Sequence, residues 1–286
     1  MGENIVAERN PQVCIMITAM FLATSFASAQ TGMRIKVVSH TTGFPRPLDT
    51  FDQTTTAYAQ GAFRRIELPP RDPHDGASAR MILIQRCAQH VAYVLNLDER
   101  EYTESLLPSP EESAKRMEEV QKQWTAGPPN LIIETTVRDT GETKLAFGHT
   151  AHHYIKTTKE TPSPELGMEP SEIIEDAWYL DVPDPRSCET ASGRPHGMGG
   201  GIGIGSGSGR AFEKIHPEFK YSGPEPQGLV LASKRTTRTV HHLQTGERQD
   251  NQLTTSTEIV ELSDERIDPA LFQIPSGFKK VSQMSH

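Results

Sequence analysis

The chain has 286 residues, with 35% hydrophobic and 23% charged residues, 21 prolines, 22 glycines and a net charge of −8. This composition is typical of a globular core with many loops and excludes a disordered chain. The acidic balance, which no run of lysine or arginine offsets, argues against a nucleic-acid partner because the phosphates would be repelled.

The first 29 residues predict an export signal. Residues 13–26 are apolar and rich in small side chains, and Ala27-Ser28-Ala29 matches the cleavage pattern of signal peptides. The apolar run is short for a membrane span. We therefore expect a signal peptide over residues 1–29 and a periplasmic or secreted protein that is not integral to the membrane. A buried N-terminal helix is the alternative.

Cleavage at this point leaves two cysteines in the mature chain, Cys87 and Cys188. In an exported protein two cysteines suggest one disulfide bond, and two separate buried thiols are the alternative. No cysteine cluster has the spacing of a zinc site, and the sequence assigns no cofactor.

The first half of the mature chain predicts a series of strands. The candidates are rich in β-branched, aromatic or alternating apolar residues: residues 33–39, 54–58, 63–68, 81–84, 91–97 and 101–103. Gly61 separates the second candidate from the third as a hairpin turn. Residues 81–84 are apolar on both faces, which predicts a strand covered on both sides.

One amphipathic helix follows these strands. Ser109 can cap it, Pro110 occupies the first helical position, and Glu112 completes a capping box. Residues 127–129 (Gly-Pro-Pro) end it. Its apolar side chains recur at helical spacing and predict a stripe that lies on the sheet: Ala114, Met117, Val120 and Trp124.

The second half of the chain returns to strands. The candidates are residues 131–138, a return strand over 143–156 after a turn at 139–142, and residues 173–180, 229–240 and 254–262. Residues 268–278 form a short docking segment. With no alternation of strands and helices, we predict a mainly β fold with few helices, an antiparallel sheet curled into a barrel or half-barrel.

Residues 199–209 are rich in glycine but lack the features of a phosphate-binding loop. No Gly-Lys-Ser/Thr enters a helix after them, and no strand precedes them. We interpret about residues 185–228 as a flexible insertion rich in glycine and proline.

His149, His152 and His153 are candidate metal ligands. On a strand, however, His149 and His153 share one face about 13 Å apart while His152 faces the other way. A metal site there would need carboxylates from elsewhere in the fold. We therefore assign no metal ligand and no catalytic residue, and a metal-dependent enzyme is the third functional hypothesis.

Three features carry a resemblance to a known family. A strand runs from the turn glycine Gly148 to Tyr154, a further strand contains Trp178, and the chain closes on Phe-x-Ile-Pro-x-Gly-Phe over residues 272–278. The chain resembles the LolA/LolB-like superfamily of periplasmic lipoprotein-carrier folds, nearest to its small secreted bacterial families of unknown function. The resemblance implies a single curved half-barrel domain over residues 30–286, with a helix on the concave face and apolar ligands in the concavity.

The leading hypothesis is an exported envelope protein that binds a lipid or a lipoprotein acyl chain and is not an enzyme. Six residues are expected to line the cleft: Leu83, Tyr93, Leu95, Met117, Val120 and Trp124. The alternative is that these residues form a closed core. In that case the protein is a structural or interaction module of the envelope, with a protein partner and no small ligand.

Overall fold

The computed structural model describes residues 31–43, 51–69, 79–186, 188, 215–242 and 248–284. The predicted signal peptide and the glycine-rich run at 199–209 lie outside these residues. Within the described part of the chain no helix is long and apolar enough to cross a membrane.

The described residues form thirteen strands and one α-helix. The elements in chain order are β1 (Thr31–Thr42), β2 (Phe51–Gln60), β3 (Phe63–Leu68), β4 (Met81–Arg86), β5 (Val91–Asn96), β6 (Glu101–Leu106), α1 (Pro110–Trp124), β7 (Leu131–Ala146), β8 (His149–Pro162), β9 (Ser171–Leu180), β10 (Pro217–Ser222), β11 (Leu229–His242), β12 (Arg248–Arg266) and β13 (Lys279–Lys280).

All thirteen strands belong to one sheet, in the order β10-β7-β8-β9-β11-β12-β1-β2-β3-β4-β5-β6-β13. The neighbours pair antiparallel, except that β10 runs parallel to β7 and β13 runs parallel to β6. The sheet is open and curved, which confirms the prediction of a mainly β half-barrel.

The turn predicted at residues 139–142 is wrong, because these residues lie inside β7. Gly141 has a positive φ of 76°, and its N–H donates to the carboxylate of Asp139 (2.8 Å). The local turn chemistry is therefore real, but the chain uses it as a bulge, and pairing with β8 resumes at Thr143. The reversal comes later, at Phe147 and Gly148, which have φ values of 51° and 81°.

The interval 185–228, predicted to be a flexible insertion, contains part of the sheet. Residues Pro217–Ser222 form β10 and pair with β7 from Leu131 to Thr136. Gly223 ends this strand with a φ of 96°, and a Cβ atom there would lie 1.8 Å from the carbonyl oxygen of Val137. Only glycine allows the backbone to approach β7 so closely.

The C-terminal segment docks on the sheet as expected. Phe272 is buried, and its ring lies 5.8 Å from that of Phe63 on β3. Phe278 packs against the cluster of Ile82, Ile84 and Leu95. This segment therefore covers the outer face of β3, β4 and β5.

Helix α1 begins and ends where the sequence predicts. The Ser109 side chain accepts from the Glu112 N–H (3.1 Å), and the Glu112 carboxylate accepts from the Ser109 N–H (2.8 Å), which completes the capping box. The helix leads from β6, near one edge of the sheet, to β7, near the other. None of its residues is buried.

Candidate functional site: a trough on the concave face

A cavity of about 880 Å³ lies against β8, β9, β11 and β12. Its lining includes Ser171, Ile173 and Glu175, which alternate along β9, and their paired residues on β11, Thr239, Thr237 and Arg235. Directly paired residues point to the same face of a sheet. The opposite face of β9, β11, β12 and β1 holds a smaller cavity of about 360 Å³. We assign the face with the larger cavity as the concave face of the curved sheet and call this cavity the trough.

Most of the residues that line the trough have polar side chains. Six hydroxyl side chains face it: Ser171, Ser233, Thr237, Thr239, Thr255 and Thr257. Two of these hydroxyls form hydrogen bonds with hydroxyls on the same face of the neighbouring strand β1. Thr255 bonds to Thr41 (3.3 Å), and Thr257 bonds to Ser39 (3.1 Å). A paired hydroxyl still has an acceptor lone pair to offer. The trough therefore presents hydrogen-bonding groups to a ligand.

A row of charged residues crosses the trough face. Lys156 on β8 pairs with Glu175 on β9, which pairs with Arg235 on β11. Cross-strand neighbours of this kind lie about 5 Å apart at their Cβ atoms, so positive, negative and positive charges follow one another. The row places ionic groups in the middle of the concave face.

An apolar patch lies immediately beside the charged row. Ile173 and Leu253 flank Thr237 in the next row of paired residues, and Met168 lines the same cavity from the loop before β9. Met168 also packs against the buried side chains of Leu131 and Ile133. The trough thus joins an apolar region to a charged one.

Two tyrosines extend the trough face towards the opposite ends of β8 and β9. Tyr154 pairs with Ala177, and the rings of Tyr154 and Tyr179 meet edge to face with centroids 5.7 Å apart. Burial raises the pKa of both phenols above the ordinary value. Both are therefore neutral at physiological pH and can donate hydrogen bonds.

The helix meets the trough face at the edge of the sheet. The Trp124 ring lies 5.5 Å from that of Phe219 on β10. Phe219 pairs with Ile133, which pairs with Glu160 of the trough lining. His216 Nδ1 donates to the carbonyl oxygen of Trp124 (3.1 Å) and fixes the end of the helix. Met117, Val120 and Trp124 are half-buried on the helix side of this contact.

The structure divides the predicted cleft residues between the two faces of the sheet. Leu83 pairs with Val94, whereas Tyr93 and Leu95 pair with Ile84 and Ile82 and point the other way. Register across β3, β2 and β1 places Leu83 on the trough face.

None of the six predicted cleft residues is among those that line the trough cavity, and Tyr93 and Leu95 also lie on the opposite face of the sheet. Leu95 is fully buried in the cluster to which Phe278 belongs. The Tyr93 ring packs against Tyr102 and lies under the guanidinium of Arg86. Both residues belong to the core beneath the C-terminal segment.

The histidines do not converge. His149 and His153 lie on the outer face of β8, whereas His152 pairs with Tyr179 on the trough face. Among the described residues no group of three or more His, Cys, Asp or Glu side chains could hold a metal ion.

His153 is nevertheless the centre of a polar cluster that the sequence did not reveal. Its Nε2 lies 2.9 Å from the Asp176 carboxylate, and its Nδ1 lies 3.1 Å from both Glu142 and Thr140. Its ring stacks on Trp178 at 4.7 Å. Because Thr140 and Glu142 come from the bulge of β7, this cluster holds the bulge against β8 and β9. It faces away from the trough.

Cys87 and Cys188 form a disulfide bond, with their Cα atoms 5.4 Å apart. This is the pairing expected from the sequence. Cys87 follows β4 and Cys188 follows β9, and these strands lie six places apart in the sheet. The bond therefore ties together two distant parts of the half-barrel.

No protein-family model and no curated protein matches this chain. Among solved structures, it is similar to PNGF-II in two crystal forms, with TM-scores of 0.33 and 0.35, identities of 9% and 8%, and coverage of 87% and 88% of this chain. The chain spans only 30% and 31% of those chains.

Two further structures show a comparable likeness. One is a LolA superfamily protein, NE2245 from Nitrosomonas europaea, with a TM-score of 0.24, 6% identity, and coverage of 85% of this chain and 90% of that one. The other is a structure described as lipid-protein interactions in lipovitellin, with a TM-score of 0.30 and 6% identity. The match covers 84% of this chain and 26% of the lipovitellin chain. At these scores neither the family nor the activity of a neighbour transfers to this chain.

Proposed function

We propose that this protein is an exported, non-enzymatic binding protein of the cell envelope that holds an amphiphilic ligand in the trough of its half-barrel. A lipid or a lipoprotein acyl chain with its polar head group belongs to this class. The observation that carries the proposal is the trough itself, in which an apolar patch adjoins a row of charged residues.

The size of the trough fits this function. Ligand pockets have volumes of roughly 300–1,000 Å³, and the trough measures about 880 Å³. A hydrocarbon chain can lie over Met168, Ile173 and Leu253. This apolar surface is smaller than the apolar cleft expected from the sequence, because serine, threonine and charged residues make up most of the lining residues.

The charged row restricts the chemistry of the ligand. A purely hydrocarbon ligand would cover the charged row and remove it from water without offering it any hydrogen bond, which is unfavourable. An amphiphile avoids this cost because its head group can hydrogen-bond to the charged row and to the neighbouring hydroxyls. We therefore favour an amphiphile over an apolar molecule.

Two features support export and a cover for the trough. Disulfide bonds persist in oxidising compartments, which agrees with the signal peptide predicted at residues 1–29. Helix α1, with no buried residue and an aromatic contact to β10, is suited to move as a cover over the concave face.

The first test is native mass spectrometry of the mature protein purified from an exported preparation. An adduct with the mass of an amphiphile, released by an organic solvent, is the expected result. A bare protein mass, together with no binding of a long-chain dansyl-labelled fatty acid, would contradict the proposal and favour a structural module.

A blocking variant locates the bound ligand. Thr237→Trp places a large side chain between Ile173 and Leu253, and it should weaken binding of the dansyl fatty acid by roughly tenfold or more. Lys234→Trp is the matched control, because Lys234 is exposed on the opposite face of the same strand. Equal affinities of the two variants would place the ligand outside the trough.

A further inference from the structure

Strand β10 is the outermost described strand at one end of the sheet. Its backbone orientation follows from His216, whose carbonyl oxygen accepts from the Asn130 N–H (2.9 Å) beside β7. Successive residues of a strand turn their N–H and C=O groups to opposite sides. Glu218 and Lys220 therefore bond to β7, whereas the backbone groups of Phe219 and Tyr221 point away from the sheet.

Pro217 also occupies an outward position. Proline has no N–H to donate, and in sheets it is found where that group would face outward. The outer side of β10 thus offers the carbonyl groups of Pro217, Phe219 and Tyr221 and the N–H groups of Phe219 and Tyr221. Such an edge is ready to pair with another strand.

The side chains of β10 are exposed on both faces. Phe219 lies on the trough face beside Trp124 and is 38% exposed. Glu218 and Lys220 lie on the other face, where Lys220 is 3.6 Å from Glu134 and 3.9 Å from Glu218. Both charged side chains remain about half exposed, so each can meet a further partner.

We propose that β10 pairs antiparallel with β10 of a second copy of this chain, about a two-fold axis at Phe219. The two Phe219 residues then exchange N–H···O=C bonds, and each Tyr221 N–H donates to the Pro217 carbonyl of the other copy. Glu218 of each copy lies opposite Lys220 of the other. The contact is self-complementary, as a closed dimer requires.

Charge selects this register over its neighbours. In an antiparallel pair, residues that face outward on one strand must lie opposite residues that face outward on the other. Since residues 217, 219 and 221 of β10 face outward, the two-fold axis can pass through a residue of β10 but not between two residues. An axis at Lys220 sets two lysines opposite each other, and an axis at Glu218 sets two glutamates opposite each other. Like charges directly opposite are destabilising in a sheet, whereas opposite charges are stabilising. Of these three positions for the axis, only the one at Phe219 sets opposite charges against each other, and it does so twice.

Sedimentation velocity of the full mature chain over a range of concentrations tests the proposal. The chain should form a dimer, and Lys220→Glu should raise the dissociation constant by roughly tenfold or more, since two attractive pairs become repulsive. The double variant Glu218→Lys, Lys220→Glu should restore dimerisation, because it exchanges the charges and keeps them complementary.

Lys234→Glu is the control for net charge, since it makes the same change on another strand and should leave dimerisation intact. A monomer at every concentration would overturn the proposal. So would a dimer that Lys220→Glu does not weaken, or a double variant that stays monomeric. A monomer that carries a co-purified peptide on this edge would assign the strand to another partner and would equally overturn it.

Residue-resolved amide hydrogen exchange identifies the surface used. In the dimer the Phe219 and Tyr221 amides should be protected, and in Lys220→Glu they should exchange rapidly. The Glu218 and Lys220 amides should stay protected in both proteins because they bond to β7. A dimer in which the Phe219 and Tyr221 amides exchange as fast as in the monomeric variant would use a different surface and refute the pairing.

Discussion

The disulfide bond should supply a large part of the stability of this fold. Cys87 and Cys188 are 101 residues apart in the sequence. In the chain-entropy model, closing a loop of this length reduces the entropy of the unfolded state by an amount worth about 4.7 kcal/mol at 25 °C. Domains are typically stable by only about 5–15 kcal/mol. We therefore expect the Cys87→Ala, Cys188→Ala variant to be folded but close to marginal stability.

Urea unfolding followed by tryptophan fluorescence measures this difference. Trp124 and Trp178 report on the helix and on the sheet, and coincident transitions would support two-state behaviour. The variant should lose about 4 kcal/mol of unfolding free energy, and its Tm should fall by roughly 8–16 °C. Alanine at the buried Cys188 position leaves only a small cavity.

Reduced wild-type protein provides the matched control, because it lacks the bond but keeps both side chains. It should unfold at nearly the same urea concentration as the double variant. A loss below about 1 kcal/mol in both proteins would refute the reasoning. It would mean that the segments around Cys87 and Cys188 stay close together in the unfolded chain, so that the bond removes little entropy.

Three further predictions concern local interactions. His153→Ala should cost about 2 kcal/mol, because it removes hydrogen bonds and ring stacking at a buried site, yet leave binding in the trough unchanged in a fluorescence titration. His153→Phe, which keeps the stacking on Trp178, should lose less. Burial opposes ionisation of Asp184, but hydrogen bonds from Arg186 outweigh it and hold the pKa of this carboxyl below its usual value. The contribution of Asp184 to stability should therefore be complete above the ordinary pKa of a carboxyl group and should be lost as pH falls through the lowered pKa. In a series of urea unfolding experiments at different pH, Asp184→Asn should remove this loss of stability at low pH. Ser109→Ala should weaken the N-terminal turn of α1 by about 1 kcal/mol, seen as faster amide exchange there with little change in global unfolding, because no residue of the helix is buried.

Local signals in the sequence were sufficient where one chemical pattern dominates. The capping box at Ser109 and Glu112 fixed the helix start because satisfying the free N–H groups is a local problem. Strand β10 escaped prediction because Pro217–Ser222 is an exposed edge strand. It shows no firm apolar alternation, and its place in the sheet depends on β7, which lies about 86 residues earlier in register.

Side-chain alternation determines which residues share a face of a strand, but it does not determine which face is concave. Leu83 and Leu95 both looked like cleft residues because both are large and apolar. The pairing register places them on opposite faces of the sheet. Phe278, from the C-terminal segment, then packs over the face that carries Leu95. Apart from its apolar patch, the trough is instead lined mostly by threonines, serines and charged residues, nearly all of them on β8, β9, β11 and β12. In an isolated sequence these resemble the solvated face of an ordinary sheet, because polar side chains at alternate positions usually face water. The curvature of the whole sheet turns that polar face inward, and for this reason we propose an amphiphile, and not a purely apolar molecule, as the ligand.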